Sequence, residues 1–258
     1  MQTSGNTILI TGGGSGIGRR LAESFHALGN KVVIAGRRKA VLDETTAANP
    51  GMAAMVFDVE DRDAIRAFAP RVAAEHPGLN VLINNAGIMR PEDLQAQPID
   101  LADAEATVVT NLLGPIRLTA ALLPQLRKQP RAAIMNISSG LAFIPMAMTP
   151  TYCATKAAIH SYTQSLRYQL RDTAVQVLEL IPPYVQTELM GPRQANDPGA
   201  MPLERFIAET MNILKTSPDT TEICVEQVKP LRFAEVNGGY DAFFKKFNDA
   251  TTAAAAAH

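Results

Sequence analysis

Tyr152 and Lys156 stand four residues apart in Tyr152-Cys153-Ala154-Thr155-Lys156, and Ser139 lies thirteen residues before the Tyr. On a helix, residues four apart share a face. A phenol ionises near ~10, too high for efficient proton exchange at neutral pH, and a neighbouring ammonium favours the phenolate. The spacing therefore makes Tyr152 a candidate general acid/base with Lys156 beside it. Taken alone, the same five residues fit two solvated helix positions equally well. The elements that would position them have to decide.

The chain has 258 residues, 47% hydrophobic and 19% charged, with a net charge of −1. That composition suits one large globular domain. No Lys/Arg-rich run forms a footprint for nucleic acid. No uninterrupted apolar run reaches the ~20 residues a membrane helix needs, and the first six residues do not form a signal-peptide core. Cys153 and Cys224 suggest neither a disulfide framework nor metal-ligand spacing. His26, His76, His160 and His258 are scattered, so no metal site is expected. A soluble cytoplasmic protein is the expectation.

Short apolar runs at 7–11, 31–35, 52–57, 79–83, 132–137 and 175–181 read as strands. They are apolar throughout, as parallel strands covered on both faces are. Helical patterns fall between them at 16–29, 61–75, 101–127 and 151–171. Repeated β-α-β units predict an α/β fold: a single doubly wound parallel sheet with helices on both faces. Beyond Thr187 the rhythm changes. Residues 191–202 read as a loop, 203–215 as an amphipathic helix and 222–225 as a final strand. The domain is placed at 1–247, with a substrate loop near 188–218. The alanine-rich tail at 248–258 is expected to be frayed, with no function.

Thr11-Gly12-Gly13-Gly14-Ser15-Gly16-Ile17-Gly18 directly follows the first strand and opens the first helix. Glycines there permit a tight turn and let backbone N–H groups approach a pyrophosphate at a helix N-terminus. The spacing T-G-x-x-x-G-x-G, together with Y-x-x-x-K, resembles the short-chain dehydrogenase/reductase family in its compact Rossmann-fold form. The resemblance covers roughly residues 7–189. It implies that Gly12, Gly16 and Gly18 shape a cofactor loop, with contacts from Ser15 and Ile17. It also implies that Asp58, followed by Val59, holds the adenine.

The second strand ends in Gly36-Arg37-Arg38. A Rossmann protein that uses NAD carries a carboxylate at this strand end for the ribose 2′-hydroxyl. A guanidinium instead matches a phosphate by charge and forked geometry. NADP(H) is therefore predicted as cofactor, with Arg37 the better phosphate ligand and Arg38 its neighbour.

Further motifs follow by resemblance. Asn84-Asn85-Ala86-Gly87 looks like the family's N-N-A-G, whose first Asn steadies the sheet while Asn85, Ala86 and Gly87 lie beside the cofactor. Asn111 matches the Asn that breaks its helix locally and holds a water in a proton relay. Ser139 matches the hydroxyl donor. Lys156 would lower the Tyr152 pKa and contact the nicotinamide ribose. Pro182, Val185 and Thr187 match the segment that holds the carboxamide, but Pro183 stands where the family usually has Gly. The implied reaction is hydride transfer between NADPH and a ketone or aldehyde, giving an alcohol, with Asn111, Ser139, Tyr152 and Lys156 as the catalytic set.

Ile88, Met89, Leu141, Phe143, Met146, Met148, Tyr184, Leu189 and Met190 are the expected substrate lining, and they favour an apolar substrate. Relatives of this kind pair their long helices, which implies a homodimer or homotetramer. Two other readings remain: a non-catalytic NADP-binding sensor on the same fold, and an accessory reductase of cell-envelope polymer synthesis. The latter rests on Pro182-Pro183 and on the segment from Val228 to Ala234, which look like a bacterial subgroup with that label.

Overall fold

The computed structural model describes residues 1–256. Seven strands form one sheet: β1 (Thr7–Thr11), β2 (Lys31–Gly36), β3 (Ala53–Val56), β4 (Leu79–Asn84), β5 (Ala132–Ile137), β6 (Val175–Ile181) and β7 (Glu222–Cys224). Their order is β3-β2-β1-β4-β5-β6-β7 and every pairing is parallel. The chain winds outward from β1 in one direction, then returns and winds the other way from β4. Such a reversal opens a crevice at the carboxyl ends of β1 and β4.

Successive strand residues point to opposite faces, and both faces are covered. Ile8, Ile10, Val32 and Ile34 pack with Leu21 and Phe25 of α1 (Gly16–Ala27) and with Phe206 and Leu214 of α8 (Leu203–Thr216). Leu9, Val33, Leu82 and Ile134 pack on the other side. Their partners there are Phe68 of α3 (Arg62–Glu75), Leu118 and Leu122 of α5 (Gly114–Leu126), and Leu166 of α6 (Pro150–Gln169). This double cover is why the strands are largely apolar and do not alternate with polar residues. Asp61 caps α3 by accepting from the Asp63 and Ala64 amides. The sequence pattern passes over α2 (Lys39–Ala48), whose buried side chains are only Leu42 and Thr45.

The predicted helix at 101–127 is broken. Helix α4 (Ala102–Val108) runs into a π-helical turn at Val109–Leu113, where the Gly114 amide reaches back to the Val109 carbonyl, and then into α5. Asn111 sits inside that turn, and such bulges are common at functional sites. Taken together, the helical stretch Ala102–Leu126 is long and apolar enough to cross a membrane by length and composition. Here its Leu118, Leu122 and Leu126 are buried against the sheet.

Two expectations about the C-terminal third are corrected. The predicted loop at 191–202 contains the short helix α7 (Pro192–Ala195). The tail expected to fray from Asn248 lies in α10 (Tyr240–Ala256), which follows α9 (Lys229–Arg232). Asn248 accepts from the Ala147 amide at 2.6 Å and donates to the Pro145 carbonyl at 3.1 Å. Alanine is the strongest helix former, and an aromatic stripe with Phe243 and Phe247 one turn apart precedes it. Residues 257 and 258 of the expected tail lie outside the described residues.

Candidate active site

A cleft of about 670 Å³ lies at the crevice between β1 and β4. Of the cofactor and catalytic residues the sequence singles out, Gly18, Asp58 and Asn111 fall outside its lining; the others line it together. Its floor is the glycine turn. Gly12 has φ +66° and Gly16 φ +52°, a region that disfavours side-chain-bearing residues. A Cβ on Gly18 would lie 2.4 Å from the Gly12 carbonyl oxygen and 2.3 Å from Asn85 Nδ2. Gly18 therefore acts by letting α1 close onto the turn. Asn85 ties the two together, donating to the Thr11 carbonyl at 2.9 Å. Thr11 Oγ1 accepts from the Asn85 and Ala86 amides, both at 3.1 Å. Ser15 caps α1 without a side-chain bond, which leaves its first amides facing the cleft.

At the end of β2 the two arginines divide. Arg37 Nη1 donates to Glu60 Oε1 at 2.8 Å, and Thr110 Oγ1 shares that oxygen. Asp58 turns away from the cleft to accept from the Glu60 amide at 3.0 Å and lies 3.9 Å from Arg37. Arg38 Nη2 instead reaches Ser15 Oγ at 3.4 Å, over the glycine turn. Both arginines line the cleft, Arg38 over the loop and Arg37 in an ion pair with Glu60. Glu60 carries no motif that reveals this competition.

At the other end, β5 and α6 converge. Ser139 Oγ accepts from the Leu141 amide at 3.1 Å. Lys156 is buried and donates from Nζ to the Ile137 carbonyl at 2.9 Å, with Nζ 5.5 Å from the Tyr152 ring centre. Burial pushes the Tyr152 phenol well above its ordinary value, and the Ser139 hydroxyl only partly offsets that. Burial likewise pulls Lys156 down to about 8, opposed by the charge of Glu179. The expected depression of the Tyr152 value by Lys156 is therefore corrected. Desolvation outweighs the ammonium, because both groups are enclosed by protein.

Asn111 lies where the helix breaks, as expected. Its Oδ1 accepts from the Ile88 amide at 2.9 Å and its Nδ2 donates to the Ile88 carbonyl at 2.8 Å. The side chain clamps the backbone beyond Gly87. Asn84 does steady the sheet, donating to Asn136 Oδ1 at 2.8 Å across the β4–β5 register.

The segment after β6 accommodates Pro183, since among the described residues positive φ occurs only at glycine. The Pro182 carbonyl accepts from the Gly140 amide at 2.9 Å. Val185 and Thr187 are held by Gln194, which sequence reasoning missed. Gln194 Nε2 donates to the Val185 carbonyl at 2.8 Å and to Thr187 Oγ1 at 3.1 Å, while its Oε1 accepts from the Met190 amide at 3.0 Å. Met89, Leu141, Met146, Leu189 and Met190 pack around Tyr152 and Cys153 as an apolar cluster beside the cleft, which Leu189 also lines. Two residues assigned to that lining go elsewhere. Tyr184 is 47% exposed and donates to Asp197 at 3.0 Å. Phe143 packs edge-on against His160 with Arg232 over its ring. Arg90, unremarked in the sequence, lines the same cleft.

A sequence profile of the short chain dehydrogenases matches residues 6–198. This chain belongs to the short-chain dehydrogenase family. The oxidoreductase DltE of Bacillus subtilis, itself uncharacterized, is 40% identical over 251 residues, 96% of this chain and 98% of that one. A short-chain dehydrogenase from Streptomyces avermitilis superposes with a TM-score of 0.80 at 26% identity, covering 96% of this chain and 99% of that one. One from Sphingobium yanoikuyae, solved in complex with NADPH, gives 0.78 at 25% identity, with 93% and 95% covered. As a short-chain dehydrogenase the chain is an oxidoreductase on a Rossmann sheet.

Proposed function

We propose that this short-chain dehydrogenase is an NADP(H)-dependent reductase that interconverts an apolar ketone or aldehyde and its alcohol. The observation that carries the reading is one continuous cleft with Ser139, Tyr152 and Lys156 at one end and Arg38 over Ser15 at the other. The glycine cradle fits a dinucleotide: a Cβ at Gly12 would press on Asn85 and Ala86, and the amides of α1 face the space. Arg38 and Ser15 would hold the 2′-phosphate, with Arg37 able to join by leaving Glu60. Val59, Ala86 and Gly87 would flank the adenosine half, and Val185 and Thr187 the carboxamide. Asp58 would reach the adenine from the rim.

When bound, the cofactor supplies the hydride. The chain's own residues handle the proton and the developing charge. Ser139 Oγ donates to the carbonyl oxygen. Tyr152, kept protonated by burial, gives that oxygen its proton. Lys156, held by the Ile137 carbonyl, stabilises the phenolate left behind and lies within reach of the nicotinamide ribose. Donors fixed where negative charge appears are the main means by which such a site lowers a barrier. Asn111 supports the wall beyond Gly87.

The apolar cluster of Met89, Met146 and Met190 beside the cleft, with Ile88 and Leu189 in its lining, supports an apolar substrate, and Arg90 in the same lining favours including oxo acids among those tried. The protein is read as cytoplasmic and as a homodimer or homotetramer, which light scattering after size exclusion would check. The test of function is a panel of ketones, aldehydes and oxo acids, read by consumption of NADPH and of NADH. No turnover of any member, with NADPH still bound tightly, would favour the non-catalytic sensor instead.

A further inference from the structure

Strand β6 is apolar except for Gln176 at its edge and Glu179 at its centre. Glu179 is fully buried. A buried carboxylate is costly unless it is bonded, and this one is bonded on both oxygens. Ser138 Oγ donates to Oε1, and His160 Nδ1 lies 2.8 Å from Oε2. His160 Nε2 lies 3.0 Å from Gln164 Nε2, which can only donate. With the Gln164 amide placed this way, Nε2 accepts from it and Nδ1 is the ring nitrogen that donates to Glu179.

Glu179, His160 and Glu222 lie close enough to share a metal ion, with their ligand atoms within 4.8 Å of one another. Their atoms are already taken. Arg232 grips Glu222 at 2.8 and 2.9 Å, which neutralises it, and Gln164 holds the remaining His160 nitrogen. Among the described residues, His160 is the only basic side chain within ion-pair distance of Glu179.

A buried cation in the same region is Lys156. It is buried, its bonded partner is the neutral Ile137 carbonyl, and no carboxylate lies within ion-pair distance of it among the described residues. Lys156 and His160 are one turn apart on α6, and Ile137 adjoins Ser138 in the chain. Glu179 therefore touches both structures that carry Lys156: the helix through His160 and the strand end through Ser138.

We propose that Glu179 is a positioning residue of this active site: through Ser138 and His160 it fixes the strand end and helix turn that present Ser139 and Lys156, and its charge is the counter-charge that holds Lys156 as an ammonium. This rests on the reductase reading for its catalytic meaning but not for its test. The other charged or titratable groups facing this layer are Arg167 on α6, Glu222 and Cys224 on β7, and Lys229 and Arg232 on α9. The Glu222 and Arg232 charges are mutually satisfied, and Arg167 is committed to the Val177 and Thr221 carbonyls.

The test is Glu179→Gln, which removes the charge, keeps an acceptor for Ser138 and, once the His160 ring proton moves to Nε2 and the Gln164 amide turns to accept it, offers an N–H to His160 Nδ1. In protein labelled with 13C at lysine Cε, the Lys156 resonance is assigned by its absence in Lys156→Arg and titrated. The Lys156 midpoint should fall by about half a pH unit or more in Glu179→Gln. The alkaline limb of kcat should move down by the same amount, with NADPH affinity and melting temperature near wild type. An unchanged Lys156 midpoint in the folded variant overturns the proposal. Should Glu179→Gln fail to fold, Glu179→Asp draws the charge back by one methylene and should lower the midpoint in the same direction; no shift there is equally fatal. The titration needs no carbonyl substrate, so a wild-type protein inert to every carbonyl would sink the reductase reading and leave this result standing.

Discussion

Asn111 holds Ile88 by both ends of its amide, accepting from the Ile88 N–H at 2.9 Å and donating to the Ile88 carbonyl at 2.8 Å. The π-helical turn aims the side chain at that backbone, and a buried position leaves no water to replace it. Asn111→Ala would strand two backbone groups of the cleft wall, costing about 1–3 kcal/mol for each left unpaired. A melting temperature lower by roughly 5–10 °C is expected, with a fall in kcat/KM. An unchanged melting curve would mean the clamp is dispensable.

Tyr152→Phe removes the proton donor and leaves the ring in its apolar setting against Met89 and Leu189. Turnover of a carbonyl should fall by about 10²–10⁴-fold. NADPH affinity, followed by fluorescence, should stay within about threefold, since deleting a hydroxyl costs little where no buried group is stranded by it. Near-normal turnover would remove Tyr152 from the chemistry.

The pH dependence follows from Lys156. Burial draws its value down to about 8. Below that pH the ammonium is present and carbonyl reduction proceeds; above it the charge is lost and kcat/KM should decline. Stability has the opposite sign. Between about pH 8 and the ordinary lysine value near 10.5, the unfolded chain holds a proton that the folded chain has shed. Folding therefore gains from Lys156 as pH rises through that window. Activity profiles and melting temperatures at pH 7 to 10 would check both, and a Lys156→Met protein should lose the Lys156 contribution to each.

The cofactor preference should be carried by Arg38 more than by Arg37. Arg38→Ala removes the cation over Ser15 and should weaken NADPH binding about 10–100-fold while sparing NADH, the scale of a charge-assisted bond. Arg37→Ala should cost less, because Arg37 is already bonded to Glu60 and must leave it to reach a phosphate. Equal affinity for NADPH and NADH in the wild type would defeat the assignment of both.

Gly18→Ala tests the cradle. Its methyl would meet the Gly12 carbonyl at 2.4 Å, and backbone cannot yield as a side chain can. Dinucleotide affinity should be lost along with thermal stability. A folded variant that binds NADPH normally would show that the turn has slack.

Much of this was legible in the chain because it is written in local chemistry. The glycine spacing, the apolar strands and the Tyr152–Lys156 interval are each fixed by a few adjacent residues. What escaped depends on partners distant in sequence. Arg37 and Arg38 look alike until Glu60 and Ser15 choose between them. Tyr152 and Lys156 predict a lowered phenol value only while solvent is imagined around them; enclosure reverses it. Gln194 sits in a stretch with no periodicity, so nothing nearby marks it. Glu179 did leave a trace, a lone acid inside an apolar strand, and a charge there with no neighbour in sequence to pair it should prompt a search for one in space.

Gln194 fastens Val185, Thr187 and Met190 with one side chain. Loosening any of these points alone would leave a mostly buried amide atom with nothing to bond. The stretch from Val185 to Met190 is thus pinned at three points by one side chain. A substrate that needed this wall of the cleft wider would have to break bonds that share a single amide, so the width of the site here is set by Gln194 and not by any one wall residue.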